Sequence, residues 1–450
     1  MRFSWLWLAV PACGAAGVAF LACDNSGTVA LPYQDGGPTE DVVHFDGPTP
    51  FDTGPLPDAP TDVAVEAEAG APPPSRLLFT YNGSASSEVV AFGLASKAVD
   101  GRITVGDSLA GTYAGSSAPW LLEEGNSVVA RLDAQHPWFI DASWNVQMND
   151  YVDAGYTESY ADPDAVVVGA GTKAYVLRYT RNTIGIIDTS QSPDGGAPVG
   201  SIDLSGLVQA GGDGYVQPVG GVFVPSQSRV YVVLANINRG NINLSTYDLL
   251  CSSTTAMVVA IDTTKDALAP LGDAGSTGWA LPGYSPSLGA GGLAFDAQTG
   301  TSGRLLVLEA GCYQQAGDGG EGPLVQREVD AVDLASGTAT KLLDLTGNGF
   351  PYQLDYVDAH HAVIGADKVY AWDPTTTTLG PAIANAPQSY VHDGNGNLVG
   401  MNAVTGAEGG VTGYQAVSMA LSSGTVTTLG SFDFTLTGGF TGGVTLWPAP

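Results

Sequence analysis

The chain has 450 residues, of which 45 are Asp or Glu and only 15 are Lys or Arg, for a formal charge of −30. That balance excludes a nucleic-acid binder, which needs basic contacts to phosphate, and it excludes electrostatic docking on anionic lipid. The 61 Gly and 28 Pro, with 13% charged residues, suit many short strands joined by tight turns; period-3.6 patterns for long helices are not sustained.

Residues 1–22 begin with a single cation, Arg2, followed by an apolar run from Trp5 through Ala22. Pro11 and Gly14 interrupt the run and no basic stop-transfer cluster follows, so it reads as a signal peptide and not as a retained span. Its end, Phe20-Leu21-Ala22-Cys23, resembles a bacterial lipobox. The resemblance implies that Cys23 receives a diacylglycerol thioether and becomes the mature N-terminus. Phe20 and Leu21 depart from that pattern, which usually has Leu and then a smaller residue. The competing reading is cleavage near Ala22 with Cys23 as an ordinary thiol. Residues 24–75 carry ten Pro, ten Asp or Glu, and no Lys or Arg. Such a segment cannot bury enough apolar surface to order itself, and its like charges repel. Residues 23–75 are therefore predicted to be the anchor site plus a disordered acidic tether. The expected location is the envelope of a bacterium, lipid-anchored and facing the periplasm or the surface. Asp24, after the Cys, is weak support for inner-membrane retention.

From residue 76 onward, pairs of apolar runs separated by polar turns recur as predicted hairpins. The first pairs Arg76–Tyr81 with Glu88–Phe92, and the second Ser127–Arg131 with Trp138–Asp141. The third is AYVLRYTRNTIGIID, Ala174–Asp188. The fourth pairs Arg229–Leu234 with Met257–Asp262, and the fifth Arg304–Leu308 with Val329–Leu334. His361–Gly365 with Lys368–Asp373, and Asn397–Gly400 with Ala416–Ala420, complete the series. Val219–Val224 and Thr340–Leu345 read as flanking strands.

The third hairpin resembles the YVTN family of β-propeller repeats found in bacterial surface and envelope proteins. The resemblance is specific at 174–188 and, as architecture, covers 76–450. Four strands per roughly fifty residues is the period of a propeller blade. The predicted fold is all-β, a single β-propeller over 76–450 with seven four-stranded blades. Six or eight blades would follow from one misread repeat, and a hairpin solenoid or two sandwiches are the rival architectures. The first hairpin lacks an upstream strand, whereas Gly443–Trp447 is left over. This tail is predicted to supply the inner strand of blade 1 and close the ring.

Cys251 and Cys312 lie in the two longest hairpin insertions, Asn236–Thr255 and Gly311–Arg327. In a propeller these emerge on one face, and export would make a Cys251–Cys312 disulfide reasonable. Asp141, Asp188, Asp262, Asp333 and Asp373 recur near the ends of third strands. Repetition favours turn-capping carboxylates over a catalytic array, since catalysis normally needs a residue once. Asp393–Asn397 opens like a calcium loop, but Leu398 and Val404 stand where an EF-hand needs Gly and Glu; a turn is the preferred reading. Asp318–Glu321 reads as an acidic loop. His360 and His361 enter a strand and point to opposite faces, so joint chelation is disfavoured. Trp120, Trp138, Trp144, Tyr151, Tyr156 and Tyr160 could form a sugar-stacking platform, although packing between blades should claim most of them. No nucleophile elbow, zinc-protease, phosphate-loop or dinucleotide motif is found, so no catalytic or metal-binding residue and no cofactor is predicted. The expected function is a monomeric, non-enzymatic binding or scaffold module for an envelope protein or glycan. The alternative is a channel enzyme or small-ligand binder, such as a quinoprotein-like oxidoreductase or a lyase.

Overall fold

The computed structural model describes residues 75–448 apart from short stretches, of which 149–159 is the longest. The expected signal peptide, Cys23 and the expected tether lie outside the described residues. Within them, seven antiparallel sheets of four or five strands form the blades of a propeller. From the innermost strand outward, blade 1 is Phe440–Trp447, Arg76–Asn82, Ser87–Gly93 and Ala98–Val105. Blade 2 is Leu109–Ala114, Pro119–Glu123, Val128–Leu132 and Ile140–Asn145. Blade 3 is Pro163–Val168, Lys173–Arg178, Thr183–Asp188 and Gly200–Asp203. In blade 4, Pro218–Val224, Arg229–Leu234, Met257–Asp262 and Ala267–Ala269 are joined by Trp279–Ala280, which shares the outer edge. Blade 5 is Leu293–Asp296, Arg304–Glu309, Glu328–Asp333 and Ala339–Asp344. Blade 6 is Gln353–Asp358, His361–Gly365, Val369–Trp372 and Leu379–Ala382. Blade 7 is Ser389–His392, Asn397–Thr405, Val411–Ala420 and Val426–Phe432.

The C-terminal strand closes the ring as the leftover tail implied. Trp447 pairs with Arg76 and Val444 with Phe79, so the last strand of the chain completes the first blade and no inner edge is left open. Inner strands of successive blades are also stitched by side chains. Thr445 bonds Thr112 at 2.9 Å, the Tyr113 hydroxyl donates to the Asp164 carbonyl at 2.6 Å, and Gln353 donates to the Tyr390 carbonyl at 2.8 Å.

Packing follows from the alternation of side chains across each strand. Leu77 and Phe79 face blade 7 while Leu78 faces blade 2. Both faces of a middle strand are thus covered, and Arg76–Asn82 and Ser87–Gly93 are buried along their whole length. Seven separate apolar clusters result among the described residues, one at each seam between blades. Each fully buried Leu, Val or Phe contributes about 1.5–3 kcal/mol against exposure, so a closed ring of modest seams makes one stable body.

One hairpin differs from expectation. Ser127–Arg131 and Trp138–Asp141 were expected to be the second and third strands of their blade. In the structure Val128–Leu132 and Ile140–Asn145 pair as the third and fourth strands, with Arg131 opposite Ala142. The second strand is Pro119–Glu123, PWLLE, too short to show a period and opened by a Pro.

Candidate binding face

Chain direction alternates along each blade, so connections from second to third strands and from fourth strands to the next blade emerge on one face. Both long insertions are of the first kind. The Cys251–Cys312 disulfide is formed and spans 61 residues. Cys312–Gln315 and Glu321–Val325 make a two-stranded ribbon, Cys312 opposite Val325. Leu250 lies beside Tyr313, where the Cys251 N–H donates to the Tyr313 carbonyl and the Tyr313 N–H to the Leu249 carbonyl, each at 2.9 Å. Asn241 donates to the Leu250 and Cys251 carbonyls at 3.2 and 3.0 Å, and Asn243 to the Glu321 carboxylate at 2.7 Å. The two insertions are therefore one hydrogen-bonded plate. Ile237, Leu249 and Cys312 root it in the apolar seam between blades 4 and 5.

A buried polar network supports the plate at blades 3 and 4. The Arg239 guanidinium pairs with the buried Asp213 carboxylate and lies 4.7 Å from the Tyr215 ring and 5.6 Å from that of Tyr179. Gln217 donates to Asp213 at 2.8 Å and accepts the Ile237 N–H at 2.8 Å. Burial, offset by Thr246 and reinforced by Glu321, pushes the Asp248 carboxyl on the plate up to about 6.

The other candidates resolve as follows. Asp188, Asp262, Asp333 and Asp373 cap their own turns: Oδ1 accepts the N–H of Ser190, Thr264, Ala335 and Thr375 at 2.9–3.0 Å. Asp141 does not belong to that set. It sits on a fourth strand and pairs with Arg131 at 2.5 Å, while Asp133, accepting from Gln135 and His136, caps the turn of blade 2. Asp393 likewise accepts the N–H groups of Asn395 and Asn397, at 2.8 and 3.0 Å, as a turn. His361 pairs with Asp358 at 2.9 Å and His360 lies 3.6 Å from Asp373, so the two rings do not converge. Trp120, Trp144 and Tyr160 are buried, with the two indoles 5.5 Å apart in the seam between blades 2 and 3. Trp138 packs under Arg76. Tyr151, Tyr156 and residues 317–320 lie outside the described residues. Thus the aromatic platform is not assembled among the described residues.

Sequence reading missed a buried carboxylate set at the root of the plate: Glu309, Glu328 and Asp330. The signal was present as an acid ending the apolar run Leu305–Leu308, opposite a second apolar run interrupted by Asp330. Among the described residues no three His, Cys, Asp or Glu side chains come together as a metal site, and no helix is long and apolar enough to cross a membrane.

No known protein family matches the chain, and no curated protein is significantly similar. Solved structures similar in fold include a functionally unknown protein from Desulfotomaculum acetoxidans DSM 771, at TM-score 0.49 and 11% identity over 83% of this chain and 99% of that one. Apo AztD from Citrobacter koseri gives 0.42 and 13% over 83% and 97%. Hydrazine synthase from Kuenenia stuttgartiensis gives 0.44 and 13% over 77% and 92%. Likeness this loose carries no argument about activity, and the propeller rests on its own seven sheets.

Proposed function

We propose that the chain is a lipid-anchored bacterial envelope protein whose propeller is a non-enzymatic binding module for a protein or glycan, and that the disulfide-tied plate is its binding surface. The observation that carries this reading is the plate itself. The two longest insertions of the ring are cross-linked, hydrogen-bonded to each other and rooted in the core. A surface held in advance loses little conformational entropy on binding, and binding residues concentrate on loops carried by a rigid scaffold. The lipobox-like Cys23 and the acidic stretch after it support anchoring, and the YVTN-like hairpin at 174–188 supports an envelope setting.

The test is affinity capture from detergent-extracted envelope of the source organism, with residues 75–450 as bait. A second bait has 236–255 and 311–327 each replaced by a short turn, with its fold checked by circular dichroism. Expected is a reproducible protein or glycan ligand, identified and rebound in purified form, that the second bait loses. Equal retention by both baits would remove the plate from the binding surface. Anchoring is tested separately by metabolic labelling with palmitate, which Cys23→Ser should abolish.

A further inference from the structure

Glu309 ends the second strand of blade 5 on the side that carries Leu305 and Val307 toward blade 4. It is in register with Glu328 on the neighbouring strand, and Asp330 lies two residues along on the same side. Asp330 accepts the Gly283 N–H at 2.9 Å. Gly283 also backs onto Glu309, so closely that a Cβ there would fall 2.3 Å from Glu309 Cγ. The two carboxyl groups thus flank one glycine in the connection between blades 4 and 5.

Glu309 is fully buried, and among the described residues neither of its carboxyl oxygens has a hydrogen-bond partner; Asp330 Oδ1 finds no N–H or hydroxyl donor among them either. The charged neighbours give Glu309 no relief. Glu328 and Asp330 face it from the third strand, and Lys341, on the fourth, is held by Glu328 at 3.3 Å. Of the two side-chain hydroxyls in residues 281–286, that of Tyr284 is engaged with Ser252 at 2.6 Å and that of Ser285 makes no bond to Glu309. Arg327 turns away to the Gly349 and Leu324 carbonyls. A bare carboxylate in such a place is strongly disfavoured, since nothing replaces the water it has lost, and the described acids do not gather as a metal site. A proton is the counterpart that the geometry allows.

We propose that this seam is a proton-held joint: Glu309 and Asp330 carry protons in the folded chain, and their ionisation loosens the root of the disulfide-tied plate. The mechanical link is short. Directly after Glu309, the Ala310 and Gly311 N–H groups donate to the Ser285 and Tyr284 carbonyls at 2.8 Å, and Cys312 follows. Charge on Glu309 therefore pushes on the segment that seats the plate. Burial, then repulsion from Asp330 and Glu328, raises the Glu309 carboxyl well above its ordinary range. Burial likewise raises Asp330 to about 7 against the opposing Gly283 hydrogen bond. Both groups are raised on folding, so the stability they contribute is full below the ordinary carboxylate range near 4. It is lost as pH rises toward 7 and above.

This inference rests on reading the plate as the binding surface only for its biological meaning. Its test measures order with no partner present, so failed capture would leave the result standing. Hydrogen exchange of 236–255 and 311–327 is followed in the purified protein from pH 5 to 8, corrected for intrinsic rates. Expected is protection that falls by up to about tenfold per pH unit for each carboxyl that ionises, a clearly shallower fall in Glu309→Gln and a shallower one again with Asp330→Asn added, the residual slope belonging to Asp248 on the plate. An unchanged slope in Glu309→Gln, or no slope in the parent, would overturn the proposal. Should Glu309→Gln not fold, infrared spectroscopy decides. A protonated-carboxyl stretch in the parent at pH 6.5, reduced in Asp330→Asn, supports the joint, and a parent without that band refutes it.

Discussion

Glu88 and Glu309 are both fully buried glutamates on middle strands, and their surroundings are opposite. Glu88 takes the Arg102 guanidinium at 2.6 Å, the Thr435 N–H at 2.6 Å, the Thr435 hydroxyl at 2.9 Å and the Leu436 N–H at 3.3 Å. Glu309 accepts no hydrogen bond among the described residues. The first is built to hold a charge: Arg102 comes from the outer strand of its own blade, and the other three donors from the segment leading into the strand that closes the ring. The second is built to hold a proton beneath the plate. Burial alone therefore does not decide what a carboxylate does in this fold; the donors within reach decide it.

The most severe way to break the contrast is to remove the closure that Glu88 serves. Deleting 440–450 strips the inner strand from blade 1, bares the edge of Arg76–Asn82 and takes Leu446 and Trp447 out of two seams. No folded monomer should remain, as read by gel filtration and circular dichroism; a monomer with the parent melting temperature would disprove closure. Next comes Glu88→Ala, which strands Arg102 and two N–H groups and should cost about 3 kcal/mol at any pH from 5 to 8. Glu309→Gln should be near neutral at pH 5 and stabilising at pH 8. Denaturant titration of both variants at both pH values separates the two kinds of site.

The plate gives a middle-sized effect. A disulfide closing a loop of this length is worth about 2–4 kcal/mol, and the Cys251–Tyr313 backbone bonds that survive reduction place it near the lower end. Cys251→Ser with Cys312→Ser should thus lose about 2 kcal/mol, with extra exchange confined to 236–255 and 311–327. Unfolding of the whole ring would show that the plate is part of the core and not a fixture upon it.

How far the sequence could be read follows from the same seams. Middle strands are covered on both faces, so RLLFTYN and RVYVVL appear as unbroken apolar runs and were located to within a residue or two. Outer strands are covered on one side only, and Ala98–Val105 mixes exposed and half-buried positions, which leaves no run to find. Two of the inner strands are short: Leu293–Asp296 and Ser389–His392 have four residues each, too few for a period. The closing strand was legible because the hairpin count left it unpaired, and the disulfide because two insertions had to share a face. Glu309 was not, since its meaning depends on Gly283 and Asp330, brought to it only by the packing of blade 4 on blade 5.

The smallest effect belongs to the capping aspartates and completes the contrast from the acid side. Asp333 accepts the N–H groups of Ala335 and Ser336 at 3.0 and 2.7 Å and the Ser336 hydroxyl at 3.0 Å. Those bonds hold its carboxyl below the ordinary value of 3.8. A lowered carboxyl contributes stability above its unfolded value and loses it as pH falls through the folded one, the reverse of Glu309. The group is close to solvent, where screening keeps its worth under about 0.5 kcal/mol. Asp333→Asn keeps an acceptor for the turn but cannot titrate, so its melting temperature should fall slightly less than the parent's between pH 5 and 3. Between pH 5 and 8 the two should track each other, because the alkaline loss belongs to the raised carboxyls of the seam and of Asp248 and not to the turn caps. If Asp333→Asn changed the alkaline arm as well, turn caps and buried seam would be coupled, and the separation of the two kinds of carboxylate would fail.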